Sequence, residues 1–222
     1  MSTRLSRWFL TLAIVVLAML RPAGAELVVG RDYVPIVPPQ ATDNPGKLEV
    51  IEFFSYGCPH CAEFHPTVSK WAAALPNDVV FRRVPISFNR PPWAGLARLF
   101  YALEATGDLA RLDSAVFRAL HEAGSRLYDE KSIVAWVSAQ GVDSKKFTDA
   151  YNSFGVISKA KRADQMAEGH RIPGVPAMAV DGKYLVTGKE AKGHAEIIAL
   201  TDQVIGKVRQ ERASGKERGD KK

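Results

Sequence analysis

Two cysteines are all that this chain of 222 residues contains, and only two residues separate them: Cys58-Pro59-His60-Cys61. That scarcity argues against a structural zinc site, which takes four ligands and would have to recruit histidines from elsewhere. The chain also lacks internal repeats and low-complexity tracts. Beyond its first 25 residues it has no apolar run approaching the ~20 residues that span a bilayer. What remains for the two thiols is to close a small disulfide ring and open it again. A static bridge at this spacing would constrain the unfolded chain very little, so thiol–disulfide exchange is the leading reading.

The N-terminus has the three parts of a secretory signal. Arg4 and Arg7 give a positive start, Trp8 to Leu20 is apolar apart from Thr11, and Ala23-Gly24-Ala25 supplies small residues for cleavage after Ala25. Thirteen residues fall short of a membrane span. The mature chain is therefore expected to be exported and soluble, in a compartment where disulfides persist. The formal charge of the whole chain is +6. Without Arg4, Arg7 and Arg21 it is +3, from 27 basic and 24 acidic residues. Most of that excess sits in the tail from Lys207 to Lys222, which reads as a solvated terminus rather than a nucleic-acid site.

Residues 26–47 carry Pro35, Pro38, Pro39 and Pro45 and read as an extended lead-in. Leu48 to Ser55 is a strand by its β-branched and aromatic content. Tyr56-Gly57 turns the chain into Cys58, and Pro59 suits the first turn of a helix because its missing N–H has no intrahelical partner there. That helix carries Phe64, Val68, Trp71 and Leu75 at helical spacing, and Val79 to Val84 is a second strand. Four apolar stripes follow. They run through Leu96 to Leu103, Leu109 to Leu120 and Ile133 to Val137, and then through Phe147, Tyr151 and Phe154 on a helix capped by Asp143. Ala177–Val180 and Tyr184–Thr187 flank Asp181-Gly182-Lys183 as a hairpin, and a helix over 191–212 closes the chain. With the block from about Pro91 to Arg171 removed, a β-α-β, β-β-α unit remains. The spans are thus 1–25 for the signal, 26–90 and 172–222 for the split unit, and 91–171 for a helical insertion.

The attacking species in exchange is the thiolate, so reactivity follows thiol pKa. Cys58 at a helix N-terminus meets unpaired N–H donors and the positive dipole end. Cys61, one turn in, is more covered and suits a resolving role. His60 can place charge or a donor near the Cys58 sulfur. Each pKa unit by which Cys58 lies below the working pH adds ~1.4 kcal/mol to the reduced form, or ~30 mV of oxidising power. Pro176 opens a strand, where a cis Val175–Pro176 peptide would leave Val175 free to pair with a bound peptide. Glu52 alternates onto the face of Val50 and Phe54. Burial there would raise its pKa unless a cation compensates. It is either a proton acceptor for the second thiol or half of an ion pair, with Arg83, or Arg82 on a one-residue slip, as partner.

Val50-Ile51-Glu52-Phe53-Phe54-Ser55-Tyr56-Gly57-Cys58-Pro59-His60-Cys61 resembles the active-site segment of the DsbA family of thiol:disulfide oxidases. Gly174 to Tyr184 resembles that family's cis-proline loop and hairpin, and Asp149 to Phe154 a helical segment between them. The resemblance implies an α/β fold: a thioredoxin fold with an inserted helical domain. It implies Cys58 as exposed nucleophile, Cys61 as buried partner, His60 as tuner, Pro176 in cis, and a buried charge at Glu52 with Arg83. It implies a monomer in the periplasm that oxidises reduced, unfolded exported proteins. A DsbB-like, quinone-linked inner-membrane partner would reoxidise it. No metal or organic cofactor is expected; the Cys58–Cys61 bridge is itself the redox group. Tyr56-Gly57 departs from a bulkier aromatic pair found in some members, which bears on the apolar rim. Three other readings compete: an isomerase, for which the short stretch before the first strand leaves no dimerising domain; a reductase, against which Pro59-His60 argues; and a peptide-binding chaperone with incidental thiols.

Overall fold

Strand β2 (Leu48–Phe54, LEVIEFF) has all seven residues buried, so both of its faces are covered. Its alternation sorts the core. Val50 packs with Phe64, Val68, Met178, Val204 and Val208, whereas Ile51 and Phe53 face Val84, Ile86, Ala163 and Ala167 on the opposite side. The computed structural model describes residues 26–189 and 191–219; the expected signal segment 1–25 lies outside them.

β2 is an interior strand, fourth in a five-stranded sheet of order β1-β5-β4-β2-β3. β3 (Val79–Pro85) runs parallel to β2, with Glu52 opposite Arg83. β4 (Ala177–Val180) runs antiparallel on its other side, with Glu52 opposite Met178. β5 (Tyr184–Thr187) completes the hairpin. The edge strand β1 (Val34–Pro35) pairs with β5, so the lead-in expected to be merely extended adds a strand. Its proline sits at an edge, where a missing N–H is tolerated.

The three-residue hairpin loop has positive φ at both Asp181 (55°) and Gly182 (63°), and the Lys183 N–H closes it on the Val180 carbonyl at 3.0 Å. The lead-in crosses it closely: Gln40 donates its N–H to the Gly182 carbonyl at 2.8 Å, and a Cβ on Gly182 would run into the Gln40 backbone carbonyl. Gly182→Ala therefore combines left-handed strain with overpacking. It is expected to cost about 2–4 kcal/mol, read as a lower denaturant midpoint at unchanged slope.

Between β2 and β3 runs α1 (Pro59–Ala73). Between β3 and β4 lie five helices: α2 (Pro91–Thr106), α3 (Leu109–His121), α4 (Glu130–Ala139), α5 (Ser144–Tyr151) and α6 (Phe154–Gly169). α7 (His194–Gly219) ends the described chain and begins three residues later than the sequence suggests. Asp143 caps α5 as expected, accepting from the Lys146 N–H at 2.8 Å. Phe154 is not on that helix. The chain breaks at Asn152, and Ser153 caps a new helix, its Oγ accepting from the Val156 N–H at 3.2 Å. Phe154 is 87% exposed as the first residue of α6. The apolar stripe read through Tyr151 to Phe154 thus spans a helix restart.

The apolar faces of α2–α5 converge with Phe54, Tyr56, Cys58 and Cys61 in one cluster. The cysteine turn therefore lies where the helical layer meets the sheet. Among the described residues no helix is long and apolar enough to cross a membrane.

Candidate functional site

After β2 the chain turns at Ser55-Tyr56-Gly57. Cys58 donates its N–H to the Ser55 carbonyl at 3.1 Å, and the Gly57 N–H reaches Ser55 Oγ at 3.2 Å. Gly57 permits a close approach: a Cβ there would meet Trp93 Nε1 at 2.5 Å. The indole from α2 thus covers the spot where a bulkier residue would project, which is how this chain reshapes the rim flagged by Tyr56-Gly57.

Cys58 is the extended N-cap of α1, with Pro59 in the first turn and no side chain capping the helix. Its thiol faces the Val175 carbonyl at 3.5 Å, and the Val175–Pro176 peptide is cis. The Cys58 pKa is lowered to about 6. The main cause is a hydrogen bond from the Cys61 thiol. Burial opposes it, while the backbone N–H groups of Cys61 and His60 and the charge of His60 add to it. Cys61 is fully buried. Burial is the main reason its thiol is pushed far up, and the bond to Cys58 and the Cys58 charge add to it. Both carry free thiols in this structure.

One expectation needs correction and another holds only in part. Cys58 is not an exposed residue: it keeps 6% of its surface, against none for Cys61, because the Val175 loop and the helical cluster close over it. It is only the more accessible of the pair. His60 lowers the Cys58 pKa by its charge, as expected, but the hydrogen bond it gives that sulfur comes from its backbone and not its ring. Its side chain is 76% exposed and turned toward Glu63, with Nδ1 at 3.5 Å from Oε2. Its backbone N–H acts on Cys58 more strongly than its charge does.

Beneath the cysteines lies a buried polar cluster. The β2–β3 register decides between the two arginines: Arg83 Nε donates to Glu52 Oε2 at 2.6 Å, while Arg82 serves Glu49 on the other face at 3.1 Å. Arg83 also donates from Nη1 to Asp113 Oδ2 at 2.6 Å and lies 3.8 Å over the Phe54 ring. Asp113 accepts from the Tyr56 hydroxyl at 2.5 Å, and His65 Nε2 lies 3.7 Å from it and 2.9 Å from Ser114 Oγ. Burial raises the Glu52 pKa; Arg83 opposes the rise and the Asp113 charge adds to it. Asp113, Tyr56 and His65 were not foreseen from sequence. A signal existed: Asp113 stands four residues after Leu109 and four before Phe117, an acid on the core-facing row of α3.

An open cavity of about 440 Å³ adjoins the site, lined by His60, Val175, Pro176, His194 and Ile197 among others. Among the described residues no group of three or more His, Cys, Asp or Glu side chains is arranged to hold a metal.

A paired dithiol with divergent thiol pKa values, at the start of the helix that follows an interior strand and against a cis-proline loop, defines a thiol–disulfide oxidoreductase of thioredoxin architecture. Comparison with known proteins agrees. The model of the DSBA-like thioredoxin domain matches residues 83–196. The thiol:disulfide interchange protein DsbA of Bordetella parapertussis is 40% identical over 208 residues, 92% of this chain and 97% of that protein. DsbA of Azotobacter vinelandii is 38% identical, covering 83% of this chain and 86% of that protein. The crystal structure of Pseudomonas aeruginosa DsbA superposes with a TM-score of 0.80 at 36% identity, covering 87% of this chain and 98% of that one. DsbA from Xylella fastidiosa gives 0.76 at 31% identity, covering 83% and 98%. The chain belongs to the DsbA family, and it has the thioredoxin fold interrupted by a helical insertion.

Proposed function

We propose that this oxidoreductase is a disulfide donor: a periplasmic, monomeric oxidase of reduced, unfolded exported proteins. Its leader of 25 residues is cleaved after Ala25. Residues 26–90 and 172–222 form the thioredoxin-like unit and 91–171 the insertion. The Cys58–Cys61 bridge serves as redox group without metal, nucleotide or flavin. A DsbB-like, quinone-linked inner-membrane protein restores that bridge.

The chemistry has two exchanges. A substrate thiolate attacks Cys58 Sγ of the enzyme disulfide. The Cys58–Cys61 bond breaks, a substrate–Cys58 bond forms, and the electron pair leaves on Cys61, which takes up a proton. A second substrate thiolate then attacks the substrate sulfur of the mixed disulfide, and Cys58 departs as thiolate. The substrate has lost two electrons, and the enzyme disulfide has become a dithiol. Val175 would pair with the substrate backbone beside Pro176, and the adjoining cavity would take its apolar side chains.

The observation that carries this reading is Cys58 as the N-cap of α1 against the cis Val175–Pro176 loop, where the Cys61 thiol and backbone N–H groups lower its pKa to about 6. At pH 7 such a thiol is about nine-tenths ionised, which favours the reduced enzyme by ~1.4 kcal/mol, or ~30 mV, over a thiol with the unperturbed pKa of ~8.5. The sign with pH follows. A thiol whose folded pKa is depressed stabilises the reduced protein fully above its unfolded value of ~8.5 and loses that contribution as pH falls through about 6. The test is equilibrium with reduced and oxidised glutathione, with thiolate absorbance followed from pH 4 to 9. An oxidising equilibrium and a midpoint near 6 are expected. A potential as low as that of reducing thioredoxins would overturn the donor assignment.

A further inference from the structure

A second open cavity, of about 570 Å³, meets the cysteine turn at Gly57, the residue before Cys58. It shares no lining residue with the cavity beside Val175. Its walls come largely from the inserted helices: Trp93 and Leu96 of α2, Leu120 and His121 of α3, and Tyr128 from the loop before α4. A cavity of this size is in the range that ligands occupy. Two contacts tie the walls to the turn. Trp93 covers Gly57, and His121 donates from Nε2 to the Tyr56 carbonyl at 2.7 Å. A group seated here is therefore held in register with the Cys58 sulfur, the condition under which binding speeds attack.

The charge at this cavity has one sign. Arg90 lines it, and no Asp or Glu does. The Arg90 guanidinium lies 4.7 Å from the centre of the Trp93 ring and forms no ion pair among the described residues. Arg82 and Arg83, by contrast, hold carboxylates. A guanidinium on the face of an indole keeps its edge donors for a carboxylate. Arg90 is exposed, and although it is the N-cap of α2 its side chain makes no capping bond. The fold thus makes no use of that charge. Tyr128, on the same cavity, keeps 61% of its surface exposed. The complement of such a site is a polypeptide segment that offers a carboxylate next to an apolar side chain.

We propose that this cavity is a second substrate subsite and that Arg90 sets its specificity: it binds an acidic side chain, with an apolar neighbour, from the segment flanking the substrate cysteine on the side away from Val175. This rests on the disulfide-donor reading above and narrows its substrate class. One flank of the substrate pairs with Val175 beside Pro176, and the other passes Gly57 to the inserted helices. The two exchanges are unchanged; the subsite acts by holding the substrate thiol at Cys58.

The test is the rate at which the oxidised protein is reduced by blocked peptides with one central cysteine and glutamate, glutamine or lysine on both flanks. Rates are corrected for the thiolate fraction of each peptide and divided by the rate with 2-mercaptoethanol, a small neutral thiol. At low salt the glutamate peptide should react about threefold faster than the glutamine peptide, and the lysine peptide slower still, as one partly exposed charge pair allows. The preference should shrink as salt is raised. Arg90→Gln should remove it, and Arg90→Glu should turn it toward the lysine peptide. Lys189→Gln should keep it, since Lys189 lines the cavity beside Val175 instead. Equal rates for the glutamate and glutamine peptides in the parent protein, a preference that survives Arg90→Gln, or one that Lys189→Gln removes would overturn the proposal. A reducing equilibrium with glutathione while the charge preference persists would count against the donor reading, not against this one.

Discussion

Replacing Cys58 with serine is expected to abolish oxidation of a reduced, unfolded protein, leaving no catalysed rate above the uncatalysed background. The serine hydroxyl is neither acidic nor a sulfur that can be attacked, so no bridge to Cys61 exists to donate. Cys61 cannot substitute. It is fully buried, and its thiol is held protonated by that burial and by its bond to Cys58. Cys61→Ala makes the complementary case. Cys58 remains, with the Val175 carbonyl 3.5 Å away, but its mixed disulfide has no enzyme thiol to release it and waits on a substrate thiol. After treatment of the variant with a substrate disulfide, a covalent species linked through Cys58 should accumulate on a non-reducing gel and vanish on reduction. Full activity of Cys58→Ser would sink the mechanism, and absence of the trapped species would remove Cys61 from the resolving role.

The second large effect is on stability. Arg83→Met keeps much of the side-chain volume against Phe54 and Phe117, which the guanidinium now covers at 3.8 and 5.8 Å, but it strips Glu52 of the cation that pairs with it. Breaking one side of a buried pair costs about 3–5 kcal/mol because a charge is left uncompensated. The loss should depend on pH. Glu52 already has a raised folded pKa, from burial first, and without Arg83 it rises further. A carboxyl raised above its unfolded value binds more protons folded than unfolded, so stability falls as pH climbs above ~4.5. The deficit of Arg83→Met against the parent protein should therefore be larger at pH 8 than at pH 5 in denaturant titrations. Adding Glu52→Gln should restore much of it. A deficit independent of pH and untouched by Glu52→Gln would show that packing rather than charge is what Arg83 supplies.

What could be read from sequence followed the distance over which each signal acts. The Cys58–Cys61 pair, its proline and its helix are local, and so is the Asp181-Gly182 turn with its two positive φ values. Alternation put Glu52 on the face of Val50 and Phe54, but the choice between Arg82 and Arg83 needed the register of a neighbouring parallel strand. A shift of one residue exchanges the two faces, and nothing within β3 fixes that. The helix break at Asn152 was hidden because the apolar spacing runs on from Phe147 through Tyr151 to Phe154, while the Ser153 cap interrupts the backbone. His60 was legible as a neighbour of Cys58 but not in its direction. The ring turns out to solvent, and a backbone group does more of the work assigned to it. Asp113 was missed for a further reason: 30 residues of chain separate it from Arg83, and an acid in an otherwise apolar helical row gives no hint of which strand it meets.

The carbonyl that faces Cys58 belongs to a residue 117 positions later in the chain. In the order in which the polypeptide is made, both thiols exist long before their surroundings do. Helix α1 can supply its N-terminal donors as soon as it forms, but Val175 and Asp113 come only with later segments. The early chain thus carries a reactive dithiol without its enclosure, and contacts of such long separation form late in folding. Docking of β4 on β2 is therefore the step that brings the Val175 carbonyl to Cys58 and closes the site.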